Sequence, residues 1–314
     1  MEKAVVRGIL EYVKFADLLP ITTMGALSVK VLRWKRLPTT QFRALNESFP
    51  ASAGSSEQLE ESVFIAGGNI DLDRQFDGDK NSIVDPRQNQ FQMFMASLTY
   101  NLNDKLINGD PASDPKTFTG IKVRVGNLPS RQTVSGDTAS SGLVVQTSSA
   151  TRHTFLDKLN ETMHMVAGGA DEVDVLLCNT NSYLGLESVL RREGLLNQSA
   201  DAFERKIYTY RGARLIDMGF TVSGAFDGET ADYILPNTEA YTGGGTSDGT
   251  SIFAVRFGRN GGQFFHAWDK HRLQVKDFGL LEDGVTMRQN VEWPLGLALF
   301  NPFSIARLRD LSWV

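Results

Sequence analysis

The sequence predicts an α+β protein. Three observations carry that reading. One long stretch, Pro86 to Asn108, repeats apolar residues at helical spacing. Two further helical stretches follow it, one of them entered directly from a short apolar run. From Arg205 onward the chain turns to short alternating runs of strand character. At 314 residues there is room for one large domain or two smaller ones of ~150 residues. The 41% hydrophobic and 22% charged content is ordinary for a globular chain with its own core.

Taken in order, "MEKAVVRGILEYVKFADLLP" is amphipathic and charged, and predicts a helix from Lys3 to Leu18 stopped by Pro20. It lacks the continuous apolar stretch and small-residue cleavage site of a secretory signal. "ALSVKVLRW", Ala26 to Trp34, alternates as a strand does. The next stretch, "PTTQFRALNESFPASAGSSEQLEESVFIAGGNIDLDRQFDGDKNS", mixes short alternating runs with Gly, Ser, Asn and Asp. It holds too little apolar surface for a core of its own. It predicts a long β-arm that must lie on something else, since compact domains rarely carry such an excursion unused.

The long helix follows. Asp85 is placed to cap it and Pro86 sits at the first helical position, where a missing N–H costs nothing. Phe91, Phe94, Met95, Leu98, Leu102 and Leu106 step by three or four and make one apolar face, and Gly109 and Pro111 end it. At 1.5 Å per residue its length is about 35 Å. "TFTGIKVRVG", Thr117 to Gly126, reads as a strand, and "SRQTVSGDTASSGLVVQTSSA" as loop with one strand. A second amphipathic helix runs from Arg152 to Ala167, with Phe155, Leu156, Leu159, Met163 and Val166 inward. "GGADEVDVLLCN" is a loop and then a buried strand, and Asn181 caps a helix through Arg192, with Gly194 after it. "KIYTYRGARLIDMGF", "ADYILP", "TSIFAVRFG", "GQFFHAW" and "LQVKDFGLLED" read as strands. The tail from Val285 is apolar enough to be buried in a sheet, with Pro294 and Pro302 forcing bends or edges.

Charge is segregated near the N-terminus. Up to Arg43 eight basic residues stand against Glu2, Glu11 and Asp17; from Ala44 to Ser82 eight acids stand against Arg74 and Lys80. Such opposed blocks can pair between subunits and steer association, or can be two solvated faces. The net charge of −5 argues against a dedicated nucleic-acid binder, which is more often basic.

Chemistry is scarce. Cys178 is the only cysteine, so no intrachain disulfide is available; its place at the end of "VDVLLCN" fits a buried packing residue better than a nucleophile. "GGGTSDGT" lacks the lysine of a phosphate loop, and no nucleophile elbow appears. "DLDRQFDGDKN" matches the start of a calcium loop, but Val84 falls where the bidentate Glu is required; a hydrated acidic turn explains Asp71, Asp73, Asp77 and Asp79 better. His266 and His271 are five apart, a helical pair in neither sense, and no cysteines accompany them. Lys80, near the arm's base, could in principle form an isopeptide bond with an Asn of a neighbour, but the sequence shows only the lysine and a solvated side chain explains it better. No cofactor, no metal and no enzymatic activity are expected. No run reaches the ~18 apolar residues of a membrane span, and a cytoplasmic product is expected.

The order of elements, with "LLPITTMGALSVKVLRWKRLPTTQFRALNE", "LTYNLNDKLINGDPASDPKTFTGI", "DVLLCNTNSYLGLESVLR", "YRGARLIDMG" and "FGLLEDGVTMRQNVEWPLGLALFNPFSIARLRDL", resembles the major capsid proteins of tailed bacteriophages, the Hong Kong 97-like fold. The resemblance covers nearly the whole chain through loose patterns in a shared order. It implies an N-arm at 1–38, an extended loop at 39–84, a peripheral domain at 85–177 plus 285–314 holding the long spine helix, and an axial domain at 178–284. It implies hexamers and pentamers of an icosahedral shell around double-stranded DNA, held without sequence-specific binding. Scaffolding, portal and decoration proteins are the expected partners, and a virion capsid built in the host bacterial cytoplasm the expected location. Many relatives carry a long scaffolding region that a protease removes; none is evident here, so a separate scaffold or an already processed form is expected. The inter-subunit contact candidates are Arg33, Lys35, Arg36, Phe42, Glu47, Phe49, Glu57, Glu60, Glu61, Phe64, Asp71, Asp73, Arg74 and Asp77, the arm's acids meeting a neighbour's basic residues. An encapsulin-type nanocompartment subunit, which tends to a shorter loop, is the alternative within the fold. A soluble α/β enzyme with an unrecognised site is the alternative outside it.

Overall fold

The computed structural model describes residues 20–23, 26–76, 85–136, 142–200, 206–221, 232–244, 248–258, 262–266 and 273–313. The expected helix Lys3 to Leu18, and Asp77, Asp79, Lys80 and His271, lie outside the described residues. The first half contains β1 (Ile21–Thr23), β2 (Ser28–Arg36), β3 (Ser55–Ser62), β4 (Phe64–Asp73), α1 (Pro86–Asn108), α2 (Ile121–Gly126), β5 (Thr133–Ser135), β6 (Leu143–Val144) and α3 (Ser149–Met165). The second contains β7 (Val175–Cys178), α4 (Thr180–Arg192), β8 (Asn197–Ala200), β9 (Lys206–Tyr210), β10 (Ala213–Asp217), β11 (Thr250–Val255), β12 (Gly262–His266), β13 (Gln274–Leu280), β14 (Thr286–Leu299) and β15 (Ile305–Ser312).

Helix α1 forms as its sequence dictates. The Asp85 carboxylate accepts a hydrogen bond from the Arg87 N–H at 2.9 Å, Pro86 opens the first turn, and Gly109 N–H closes the last on Lys105 O at 2.8 Å. Its buried face, Met95, Leu98, Leu106 and Ile107, packs beneath the sheet that contains β4. Gly68 in β4 lets the helix approach closely: a Cβ would sit 3.1 Å from the Phe94 ring and would press on it.

Two sheets organise the body. In the larger, the order is β5-β15-β11-β7-β10-β9-β8, with β6 also on β15. Strand β7 is its centre, parallel to β10 and antiparallel to β11. All four β7 residues are buried, so an unbroken apolar run replaces alternation. Val175 and Leu177 face the core shared with α1, whereas Leu176 and Cys178 face Phe155, Leu159 and Met163 of α3 and Leu186 and Leu190 of α4. The smaller sheet runs β1-β12-β14-β13, with β4 also on β14. Among the described residues, strands β2 and β3 pair only with each other.

The structure corrects three expectations. Residues Ile121–Gly126 are a helical turn, not a strand, because Gly120 N–H is held by Gly109 O at 2.7 Å and Ile121 and Val125, four apart, are the residues that enter the core. A run of Ile, Val and Val fits either period. The cap of α4 is Asn179, not Asn181: the buried Asn179 side chain accepts from Ser182 N at 2.7 Å and donates to Thr250 Oγ1 at 3.0 Å. Helix α3 is Ser149–Met165, started by a capping box between Ser148 and Thr151, rather than Arg152 to Ala167. Strand pairing crosses the chain in both sheets. Strands β5, β6 and β15 join β7, β10 and β11 in one sheet, while β12 and β13 join β14 and β4 in the other.

Candidate subunit interface

The extended arm is a two-stranded ribbon grown from the body. Strands β3 and β4 are nearly one strand, interrupted only at Val63. From Phe64 to Asp73 it pairs with β14, Leu295 to Thr286; beyond Val63 it leaves that partner and pairs with β2, Ser62 to Ser55. The register sets Lys30 opposite Glu60 and Arg33 opposite Glu57. The opposed charge blocks of the sequence therefore meet across the ribbon of a single subunit, where cross-strand pairs of opposite sign stabilise a hairpin modestly.

The ribbon is fastened at its root by ion pairing. Arg124, 8% exposed, makes a two-pronged contact with Glu61, Nη1 to Oε1 at 2.6 Å and Nη2 to Oε2 at 2.9 Å. Its remaining donors go to Thr119 O and Leu297 O, both at 2.8 Å. A planar guanidinium suits this forked geometry. Beside it, Arg33 donates to Leu299 O. Burial pulls the Arg33 guanidinium below its ordinary value and Arg124 adds to that, while Glu61 and Glu57 pull the other way. Val31 and Leu59, opposite one another, face the body from the ribbon's inner side.

The outer side and the tip are bare. Leu32 and Trp34 share the face that turns from the body, and Trp34 is 80% exposed. Leu37, Phe42, Leu45 and Phe49 follow around the tip, Leu45 at 93%. A groove of about 300 Å³ opens beside Trp34, bounded by Leu37, Pro38 and Gly54. The tip is ordered by small internal bonds: Ser52 Oγ to Thr39 O at 2.8 Å, Arg36 Nη2 to Ala53 O at 3.1 Å, and Arg43 over the Phe49 ring at 5.5 Å. Nothing in the chain covers these side chains among the described residues. An unpaired apolar ribbon of this kind is a template for another chain.

The expected contact residues fall in different parts of the subunit. Lys35, Arg36, Phe42, Glu47 and Phe49 lie on the exposed tip, and Glu57 and Glu60 line the ribbon. Glu61 and Asp71 are engaged inside the subunit, Asp71 by a two-pronged contact with Arg288 at 2.7 and 2.6 Å; that contact holds its carboxyl below the usual range. Arg33 is half-buried at the root, Phe64 packs on the core of α1, and Asp73 and Arg74 lie at the far end of β4. Asp77 lies outside the described residues. Sequence reasoning missed Arg124, whose role depends on contacts distant in the chain. It missed Trp34 as well, although alternation through "SVKVLRW" places it on the same face as Leu32.

Among the described residues no three His, Cys, Asp or Glu side chains are grouped to hold a metal, and no helix is long and apolar enough to cross a membrane. Cys178 is buried with its thiol on Ile216 O at 3.3 Å.

A spine helix under a long β-strand, a projecting ribbon and a helix-covered second sheet define a shell subunit of the Hong Kong 97-like fold. The arrangement matches the SrpI encapsulin of Synechococcus elongatus PCC 7942 with a TM-score of 0.64 at 15% identity, over 95% of this chain and 87% of that one. It matches the capsid protein of a native GTA particle at 0.62 and 13% identity, over 96% and 91% of the two chains. It matches Microbacterium phage Oxtober96 at 0.56 and 14% identity, over 95% and 90%. No curated protein matches by sequence. Residues 25–181 match the family described as major capsid protein GP7, and the chain belongs to that family. It is a capsid shell protein.

Proposed function

We propose that this chain is the head protein of a tailed phage, assembling as hexamers and pentamers into an icosahedral shell around double-stranded DNA and performing no catalysis. The carrying observation is the ribbon whose outer face and tip expose Trp34, Leu37, Phe42, Leu45 and Phe49. A two-stranded ribbon is marginal alone in water, and a neighbour's surface supplies the missing burial. The net negative subunit suits a wall that must not grip packaged DNA. Scaffolding, portal and decoration proteins are proposed as partners and the host bacterial cytoplasm as the site of assembly. The test is replacement of residues 37–54 by a tight turn, which spares β4. Soluble subunits or capsomers in place of closed particles, by electron microscopy and sedimentation, are expected; normal particles would refute the arm's role.

The likeness to an encapsulin sustains one second reading, a compartment around cargo enzymes. The match to the major capsid family over residues 25–181 favours the phage reading. Nuclease-protected DNA inside particles from infected cells supports a genome shell; protected protein cargo without DNA supports the compartment.

A further inference from the structure

Both sheets are joined through strands that are synthesised late. In the smaller sheet β4, β12 and β13 all pair with β14, and β1 reaches the sheet only through β12. In the larger sheet β5 and β6 pair with β15 and, among the described residues, with nothing else. Strands β14 and β15 follow every other described strand in the sequence. Phe64 therefore waits for Leu295, and Asp73 for Thr286. At ~5–20 residues per second, β4 is out of the ribosome for roughly 10–40 s before its ladder partner exists.

The arm depends on the same late strand. Arg124 fastens the root by donating to Leu297 O at 2.8 Å, and Arg33 by donating to Leu299 O; both carbonyls belong to β14. Strand β4, which carries the ribbon, is paired along its whole length with β14 and with no other described strand. Val291 and Leu295 of β14 also close the core over Ile70, Met95 and Leu98. The middle of the larger sheet has no such dependence. Strands β11, β7, β10, β9 and β8 pair in succession without β14, and α3 and α4 cover β7.

We infer that β14 is a completion check on the subunit: before it is made the ribbon has no fixed direction, and an unfinished chain cannot join the shell. This rests on the reading that the arm tiles a neighbouring subunit, and adds what withholds the arm until synthesis has passed β14. The middle of the larger sheet forms first. Strand β14 then docks, and β4, the core over α1 and the root of the arm form together in one step. Unpaired strand edges on unfinished chains are an aggregation hazard. An arm that is aimed last keeps such chains out of the array.

Refolding of the full chain from denaturant, sampled by pulsed amide exchange, tests the order. Amides of β7 and β10 should gain protection about tenfold sooner than those of β4, whose partners are distant in the chain. Protection of β4 should coincide with that of β14 and with competence to assemble. Protection of β4 as early as β7, or assembly before β14 is protected, overturns the inference.

Val291→Pro in the full chain tests the coupling. Val291 is fully buried and lies opposite Gly68 of β4 and Val275 of β13. Proline there removes an N–H and interrupts the ladder. Mixed equally with the original subunit, the variant should enter particles at about a tenth of its share or less, since backbone pairing no longer aims its arm. Exchange should quicken in β4 and stay slow in β7 and β10. Entry in proportion to its share overturns the inference. If the variant does not fold at all, the refolding order of the original chain carries the test. Deletion of 37–54 should abolish assembly while β4 stays protected. If that deletion is harmless, the reading of the arm fails, and the order of folding is judged by the exchange data alone.

Discussion

The large sheet and the ribbon are built from the same kind of residue and end in opposite states. Strand β7 buries all four of its side chains between two cores, whereas β2 buries Val31 and leaves Leu32 and Trp34 in water. The difference lies in what covers them. Helices α3 and α4 close one face of the large sheet and the core of α1 closes the other, while only the root of the ribbon reaches the body. Stability of the subunit and capacity to join other subunits are therefore lodged in different segments, and substitutions should separate the two properties.

Subunit stability, read by chemical denaturation, gives a common scale for breaking that separation. Phe253→Ala removes a fully buried ring from β11 and should cost about 3–5 kcal/mol. Glu61→Ala leaves Arg124 buried without its carboxylate and should cost about 3 kcal/mol; amide exchange should quicken through residues 28–62 and not in β7. Glu239→Gln should cost about 2 kcal/mol at neutral pH, since it weakens contacts with Lys122 at 2.8 Å and Arg307 at 2.8 Å. Burial pushes the Glu239 carboxyl up, but Arg307, Lys122 and Ser251 outweigh it and hold the group below its ordinary value. Its stabilisation is thus present above the ordinary carboxylate range and lost as pH falls through the lowered value. The Gln variant should flatten that acid-side decline; an unchanged slope would assign it to other groups such as Asp310. Trp34→Ser should change subunit stability by less than about 0.5 kcal/mol, as exposed sites do, while reducing particle yield. A large loss of subunit stability from Trp34→Ser would erase the distinction between the two regions.

What the residues disclosed in advance follows the range of the forces involved. Helix α1 was legible to both ends because Asp85, Pro86 and Gly109 act within a turn of where they stand. The arm was legible as apolar residues too few and too scattered for a core. The cap of α4 was misplaced by two residues because "CNTNS" offers two asparagines, and contacts with Leu235, Asn237 and Thr250, all distant in the chain, distinguish Asn179. Sheet membership was not legible because the second sheet gathers strands from both halves of the chain, an order fixed by packing rather than local pattern. Arg124 was invisible for the same reason: its partner Glu61 lies 63 residues away. The charge blocks were correctly located, but their registration across one ribbon depends on a hairpin that no local signal specifies.

The continuity of β3 with β4 has a mechanical consequence. A pull on the tip along this strand is carried in shear by the whole ladder to β14, so its hydrogen bonds share the force instead of opening one after another. A pull across the strand would instead unzip it from one end. Copies joined tip to neighbour should accordingly resist stretching in the plane of their array far better than lifting out of it, giving a sheet-like material that is stiff in tension and compliant in bending.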